Sequence, residues 1–281
     1  MRRHQQDQSH QDAGRGCVDE QLGDTGVFAD HVLAHRQDRE GEDCQRQGAE
    51  EEGLAASLPS LPYGPSRSYG YSVSSTVDEL MVADTPDAWS ALGFALDGDT
   101  CVVGDVRIRL AGADAGRGLA GWSLRDVKST ELDGLPTTRS DRQPPSERPA
   151  HPNGITALDH VVAITPALDR TVAALRGAGL DLRRIREEPT PAGAPRQAFF
   201  RLGPNILEVA QEPAEAIERA GGDRPAFFWG LAFVAPDLEA TVAGLGDLVS
   251  EIRPAVQPGR RIATLRRSAG LALPIALMTP R

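Results

Sequence analysis

The chain has 281 residues, 40% of them hydrophobic, and a formal net charge of −10, so it can bury a core but lacks the basic surface that nucleic-acid binding requires. Its three cysteines are widely spaced and form no C-x-x-C pair, which argues against a zinc or dithiol redox centre and favours a cytoplasmic location. The sequence has no apolar run long enough to cross a bilayer and no apolar signal segment near Met1, so we expect no membrane partner.

Residues 1–75 show neither helical nor strand periodicity. They are rich in Gln, Asp, Glu, Arg and Gly, and then in Ser and Pro. Such a segment buries too little apolar area to offset its chain entropy. We therefore expect a disordered extension, or one that is not native, with the natural start near Val77.

Strand and helix signals begin at Val77. A strand there is followed by a short helix that starts at Pro86 and ends at Gly93, a hairpin that turns at Gly104-Asp105, and another strand at Leu119–Val127. This order predicts a divergent β-α-β-β-β module in residues 76–136. A sequence echo between 122–135 and 229–239 suggests the remnant of a further unit, and the Pro- and Arg-rich residues 137–153 are typical of an exposed linker.

Residues 154–281 contain a pattern that occurs twice. The stretch from Pro166 to Leu175 returns as Pro236 to Leu245, with six of ten positions identical. Each copy has apolar residues at helical spacing, namely Leu168, Val172 and Leu175 and then Leu238, Val242 and Leu245. An apolar run precedes each copy, and three strand-like segments follow it: Leu180–Ile185, Gln197–Leu202 and Ile206–Ala210, then Leu248–Ile252, Ile262–Arg266 and Leu271–Met278. The sequence therefore predicts an α+β fold of tandem β-α-β-β-β modules whose curved mixed sheets surround a cup.

This tandem unit resembles the vicinal oxygen chelate superfamily, which includes glyoxalase I, bleomycin-resistance proteins and extradiol dioxygenases. His160, in a strand that opens Leu158-Asp-His-Val-Val, is similar to the family's first-strand metal position. Glu208, in Asn205-Ile-Leu-Glu-Val, is similar to its last-strand glutamate. The resemblance implies that both residues are catalytic and bind one divalent ion, Fe, Zn, Ni or Mn, which acts as a Lewis acid on vicinal substrate oxygens.

The second copy departs from that pattern. Gly230 stands where His160 stands in the first copy, and no Asp, Glu, His or Cys follows Glu251. His160 and Glu208 make only two ligands, whereas a catalytic metal usually has three from the protein. Glu79 of the first module aligns with His160 and is the candidate third ligand. Two alternatives stay open: His160 as a hydrogen-bonded strand residue, and Glu208 in a structural ion pair.

Arginines are the candidate substrate-binding residues. Arg196-x-Ala-x-x-Arg201 in one copy matches Arg261-x-Ala-x-x-Arg266 in the other, and Arg201, Arg261 and Arg266 could hold a carboxylate or phosphate in a bidentate manner. A solvated strand edge is the alternative.

The resemblance thus implies a glyoxalase-like small-molecule enzyme of lyase, isomerase or dioxygenase type with an incomplete metal site. The alternative is a metal-free protein that binds or sequesters a small molecule, of the bleomycin-resistance type. The expected partner is a small-molecule ligand, and a homodimer is an option left open.

Overall fold

The structure is a computed structural model, and it describes residues 74–190 and 193–281. This part of the chain forms a six-stranded and an eight-stranded mixed sheet. Disorder is predicted for residues 1–75. Of this segment only residues 74 and 75 are described, so the prediction lies outside the described residues. None of the helices in the described ranges is long and apolar enough to cross a membrane.

The six-stranded sheet contains the first module. Its elements are β1 (Thr76–Val82), α1 (Pro86–Ala91), β2 (Leu96–Asp97), β3 (Thr100–Val103), β4 (Val106–Leu110), β5 (Leu119–Arg125) and β6 (Thr137–Arg139). The strand order is β2-β3-β4-β1-β5-β6. The helix begins after the N-cap Thr85, whose hydroxyl accepts from the Ala88 amide, and the chain leaves it through Gly93 at φ 80°, a conformation that glycine adopts without strain.

The eight-stranded sheet contains the duplicated pair. Its first half is β7 (Ala157–Thr165), α2 (Leu168–Gly177), β8 (Asp181–Arg186), β9 (Gln197–Leu202) and β10 (Asn205–Gln211). After α3 (Ala214–Arg219), the second half is β11 (Phe227–Val234), α4 (Leu238–Leu245), β12 (Arg253–Pro254), β13 (Arg261–Thr264) and β14 (Ile275–Met278). The order is β12-β13-β14-β11-β7-β10-β9-β8, with β7 and β11 antiparallel at the centre. In each half the last strand lies parallel to the first, so the predicted α+β fold of tandem β-α-β-β-β modules is confirmed.

Two predicted strands of the second half are wrong in their bounds. In place of a strand at Leu248–Ile252, the chain makes one bridge, at Val249. Next to it the Thr264 amide donates to the Ser250 hydroxyl, 2.9 Å away, so a side chain replaces a ladder bond. The final strand begins at Ile275 and not at Leu271, because proline at the preceding position has no amide hydrogen for the ladder.

Residues 137–153 are not an open linker throughout, because they contain β6. Strand β6 lies parallel to β5, as β14 lies to β11, and β5 is antiparallel to β1, as β11 is to β7. The carbonyl of Pro136 accepts from the Trp122 amide at 3.1 Å, and the carbonyl of Pro274 accepts from the Leu231 amide at 3.0 Å. Strands β5 and β6 therefore correspond to the first and last strands of a further module, joined without a helix between them.

The two duplicated helices do not pack equally. In α2 the three apolar residues of the predicted face are buried: Leu168, Val172 and Leu175. In α4 Leu238 is buried, whereas Val242 and Leu245 are only partly buried against the core. The helix faces are therefore equivalent in sequence but not in depth.

The main core lies on the helix side of the eight-stranded sheet. Leu207 and Val209 of β10 belong to it together with Leu175 of α2. Because side chains alternate along a strand, Glu208 points to the opposite face. We call this opposite face the site face.

Candidate functional site

His160 and Glu208 lie beside each other on the site face. In the parallel pairing of β7 with β10, His160 is opposite Ile206, and Val162 is opposite Glu208. Residues two apart on a strand share a face, so both side chains project to the same side. The His160 Nε2 and Glu208 Oε2 atoms are 3.8 Å apart, and the two side chains are 10% and 15% exposed.

A β-bulge brings Asp159 to the same histidine. In the ladder between β7 and β11, Ala232 pairs with His160 and Phe233 with Leu158, which leaves Asp159 as an extra residue. A bulge of this kind re-aims a side chain relative to regular alternation. The Asp159 carboxylate lies 2.8 Å from His160 Nδ1, and because a carboxylate only accepts, Nδ1 carries the hydrogen and donates it. The ring is thereby oriented with Nε2 towards Glu208.

Asp159 is held in turn by Arg260 of the second half. The guanidinium donates to both carboxylate oxygens, at 2.9 and 3.2 Å, and the two side chains are 5% and 3% exposed. Arg260 also donates to the Thr279 carbonyl, and Arg281 lies 3.4 Å from the same carboxylate. Burial alone raises the pKa of Asp159, but hydrogen bonds from His160 and Arg260 outweigh it and hold that pKa well below its usual range.

Glu208 has the opposite electrostatic balance. Burial raises its pKa above the ordinary value, and the attraction of His160 offsets only part of this shift. The amide of Gln197 donates to Glu208 Oε1, which leaves Oε2 on the side of the imidazole. Glu208 therefore retains a proton at higher pH than an exposed glutamate does.

The residues present do not fit a three-ligand metal centre. Both oxygens of Asp159 are engaged by Arg260, so His160 and Glu208 remain as donors. In the second half, Gly230 occupies the place of His160 and Ala276 the place of Glu208. Glu208 pairs with the residue two positions after His160, and Ala276 pairs with the residue two positions after Gly230. Across residues 74–190 and 193–281, His, Cys, Asp and Glu side chains form no group of three or more that could hold a metal ion.

The third predicted ligand, Glu79, lies in β1 of the six-stranded sheet and not in the sheet that carries His160 and Glu208. There it forms ion pairs with Arg109 at 3.2 Å and Arg142 at 2.7 Å. The structure thus brings together two of the three predicted ligands.

The predicted substrate-binding arginines are dispersed. Arg201 is exposed in β9. Arg261 forms an ion pair with Glu239 in the first turn of α4, on the helix side of the sheet. Arg266 donates to the Val249 carbonyl at 2.9 Å. Arg260, next to one of these positions, reaches the site and binds Asp159, and Arg281 lies near the same carboxylate. No sequence motif links either arginine to Asp159.

The repeated arginines have a structural counterpart. Arg196 lies 3.1 Å from Asp169 in the first turn of α2, as Arg261 pairs with Glu239 in the first turn of α4. Arg196 directly precedes β9 and Arg261 is the first residue of β13. Each arginine thus ties the start of the third strand of its half to the start of its helix, a structural role for the residue that recurs in both copies.

Comparison with known proteins gives likenesses of fold. The search found no matching protein-family model and no matching curated protein. Among solved structures, methylmalonyl-CoA epimerase from Mycobacterium tuberculosis aligns with 46% of this chain and 90% of its own, at 20% identity and a TM-score of 0.38. A Streptomyces coelicolor methylmalonyl-CoA epimerase in complex with 2-nitronate-propionyl-CoA aligns with 44% of this chain and 94% of its own, at 21% identity and a TM-score of 0.35.

A xylose isomerase-like TIM barrel/4-hydroxyphenylpyruvate dioxygenase fusion protein covers 73% of this chain and 48% of its own, at 16% identity and a TM-score of 0.49. No function follows from likenesses at this level. The fold is glyoxalase-like. That conclusion rests on the strand order and pairing of the modules, which agree with the predicted resemblance to the vicinal oxygen chelate superfamily.

Proposed function

We propose that this chain is a small-molecule enzyme of isomerase or lyase type in which His160 and Glu208 transfer a proton. The observation that carries the proposal is the distance of 3.8 Å between His160 Nε2 and Glu208 Oε2, with the other ring nitrogen held by Asp159. General acids and bases act within hydrogen-bond reach of the proton that they move. Two such groups side by side can remove a proton from one atom of a substrate and return it to another.

The electrostatics support a division of roles. Imidazole is the commonest general base, and the carboxylate of Asp159 stabilises the imidazolium that forms when His160 takes a proton. Glu208, whose pKa is raised by burial, is the general acid. The proton leaves a carbon next to a substrate carbonyl for His160 Nε2, and Glu208 supplies a proton to the product.

The second half of the sheet offers an apolar surface near this pair. Its site face carries a cluster separate from the main core: Ala232, Ile262, Ala276 and Met278. Ala232 pairs directly with His160. Small-molecule sites are mostly apolar with a few polar groups that set orientation, and this surface suits the apolar part of a substrate.

The same apolar cluster favours a second candidate, a protein that binds or sequesters a small molecule without transforming it. Its side chains can hold a ligand whether or not a proton moves. Hydrogen exchange into a bound ligand separates the two candidates.

The test is solvent exchange at carbon. The full-length protein is incubated in D₂O with 2-oxo acids, 1,2-diketones and 2-hydroxy acids, and loss of C–H signal is followed by proton NMR. We expect exchange with the wild type and its loss in His160→Asn and Glu208→Gln, while Asp181→Asn, an exposed control, exchanges normally. Saturable binding without exchange would support the binding protein instead.

Metal analysis provides an independent check. We expect substoichiometric Fe, Zn, Ni and Mn after purification without chelator and after supplementation with each ion. One ion per chain, lost in His160→Ala, would overturn the proton-transfer proposal in favour of a metal-dependent enzyme. The cytoplasmic location and the homodimer stay predictions.

A further inference from the structure

The six-stranded sheet repeats the backbone arrangement of the site. The pairing of β1 with β5 leaves Asp78 as an extra residue, just as the pairing of β7 with β11 leaves Asp159 as one. The residue that follows each bulge is Glu79 in β1 and His160 in β7. Glu79 thus occupies the place of His160 in its own sheet.

The neighbouring strand completes the correspondence. Arg109 of β4 pairs with the residue two positions after Glu79, and Glu208 of β10 pairs with the residue two positions after His160. Arg109 therefore stands in the place of Glu208. Its Nε lies 3.2 Å from Glu79.

Further arginines converge on the bulged aspartate. The side chain of Asp78 is fully buried, and it accepts from Arg107 and Arg125 at 2.5 Å each and from Arg142 at 2.8 Å. The hydroxyl of Ser140 donates to the same carboxylate at 2.6 Å. Burial raises the pKa of Asp78, but the hydrogen bonds and the arginines outweigh it and hold the pKa below its usual value. A fixed carboxylate with several partners locks the guanidinium groups in place.

The charges in this cluster do not balance. Four guanidinium groups, those of Arg107, Arg109, Arg125 and Arg142, share two carboxylates, those of Asp78 and Glu79. Two positive charges therefore remain. One terminal nitrogen of Arg109 donates to the sulfur of Met81, which is a weak acceptor, so this donor has no strong partner in the cluster.

The two arginines at the edge of the cluster are accessible. The side chains of Arg109 and Arg142 are 41% and 52% exposed, and both contact Glu79. A ligand can therefore reach them without displacing the buried pair of Asp78 and Arg125.

We propose that this face of the six-stranded sheet is an oxyanion-binding site, in which Arg109 and Arg142 bind a group with two negative charges, a phosphate or a dicarboxylate. Guanidinium groups bind both in a bidentate manner. The site is distinct from the His160 and Glu208 pair in the other sheet and does not depend on the reaction proposed there.

Titration calorimetry of the full chain with inorganic phosphate and with succinate, at matched ionic strength with chloride as the reference, tests the proposal. We expect saturable binding of one ion per chain. Arg109→Gln and Arg142→Gln should each weaken it by about tenfold or more, as the loss of a hydrogen bond between charged groups does. Arg109→Lys, which keeps the charge, should retain part of the affinity.

Arg148→Gln is the matched control, because Arg148 is 60% exposed and pairs with Asp105 outside the cluster. It should bind as the wild type does, and so should His160→Asn. Tighter binding of phosphate would assign the site to a phosphate group, and tighter binding of succinate would assign it to a dicarboxylate. Three results would overturn the proposal. They are no saturable binding of either ion, an affinity in Arg109→Gln and Arg142→Gln equal to that of the wild type, and loss of binding in His160→Asn. Circular dichroism confirms that each variant is folded.

Discussion

Replacing Asp159 by asparagine tests the ion pair that anchors the site. The substitution keeps the shape of the side chain but removes the charge opposite Arg260, which is 5% exposed. Breaking a buried pair by removing one partner typically costs about 3–5 kcal/mol, because the other charge stays buried. Asparagine retains one acceptor oxygen for the guanidinium, so we expect the lower end, about 3 kcal/mol. For a folded part of this size that is a fall of about 6–12 °C in Tm.

The loss should depend on pH with a definite sign. The folded-state pKa of Asp159 lies below its ordinary value of 3.8. The stability that the ionised carboxylate contributes is therefore fully present above pH 3.8, and it is lost as the pH falls from that value through the folded-state pKa. Urea unfolding of the wild type and Asp159→Asn is therefore compared at about pH 7 and at about pH 3. The difference in unfolding free energy should be large at the first pH and smaller at the second.

Two further variants make the result decisive. Asp181→Asn removes an exposed carboxylate that pairs with Arg183, and such pairs are worth about 0–1 kcal/mol. The double variant Asp159→Asn with Arg260→Met removes both buried charges and should recover part of the lost stability. If Asp159→Asn costs no more than Asp181→Asn, or if the double variant is no more stable than Asp159→Asn, the buried pair does not anchor the site.

Three other substitutions test the site and the packing around it. Glu208→Gln should raise the stability of the folded protein at about pH 7. Burial raises the folded-state pKa of Glu208 above 4.5, so the ionised glutamate destabilises the folded state as the pH rises, and glutamine removes that charge. An unchanged Tm at neutral pH would contradict this. Leu175→Ala should lower the free energy of unfolding in urea by about 2–5 kcal/mol. Leu245→Ala truncates a partly buried residue and should lower it by less than about 2 kcal/mol. Equal losses would refute the difference in depth between the two helices. Gly230→Ala should cost about 1–3 kcal/mol, since its Cβ would lie 2.6 Å from a backbone carbonyl oxygen, whereas Gly244→Ala, with open space, should be tolerated; a neutral Gly230→Ala would show that the strand can shift.

The sequence predicted the duplicated fold because the repeat includes both the helix and the strands that follow it. It also placed His160 and Glu208 on the first and last strands of one module, and those strands are neighbours in the sheet. Two residues on adjacent strands lie close together when they share a face of the sheet and neighbouring register positions, whatever path the loops take. This part of the site therefore depends on local patterns that one sequence contains.

The anchor was not predictable in the same way. Asp159 directly precedes His160, and regular alternation puts their side chains on opposite faces. Only the bulge in β7 brings them together, and an extra residue in a ladder leaves no periodic signal. Arg260 lies 101 positions after Asp159, in a stretch whose sequence is typical of a basic surface turn. The depth of Leu245 was likewise hidden, because its spacing matches that of Leu175 and only the packing separates them.

The two sheets carry different residue types on one backbone arrangement. In each, a bulged aspartate in the first strand of a module is held by buried arginines, Asp78 by Arg125 and Asp159 by Arg260. The bulge fixes where the next side chain projects, and the last strand of the module places a partner beside it. The residue types at these two positions differ: glutamate stands with arginine in the first sheet, and histidine with glutamate in the second. The proposed oxyanion site and the proposed acid–base pair both rest on this difference. Because the aspartate in each sheet is satisfied by partners within the protein, we expect its role to be positional, and we expect a ligand to contact the residues that the bulge presents.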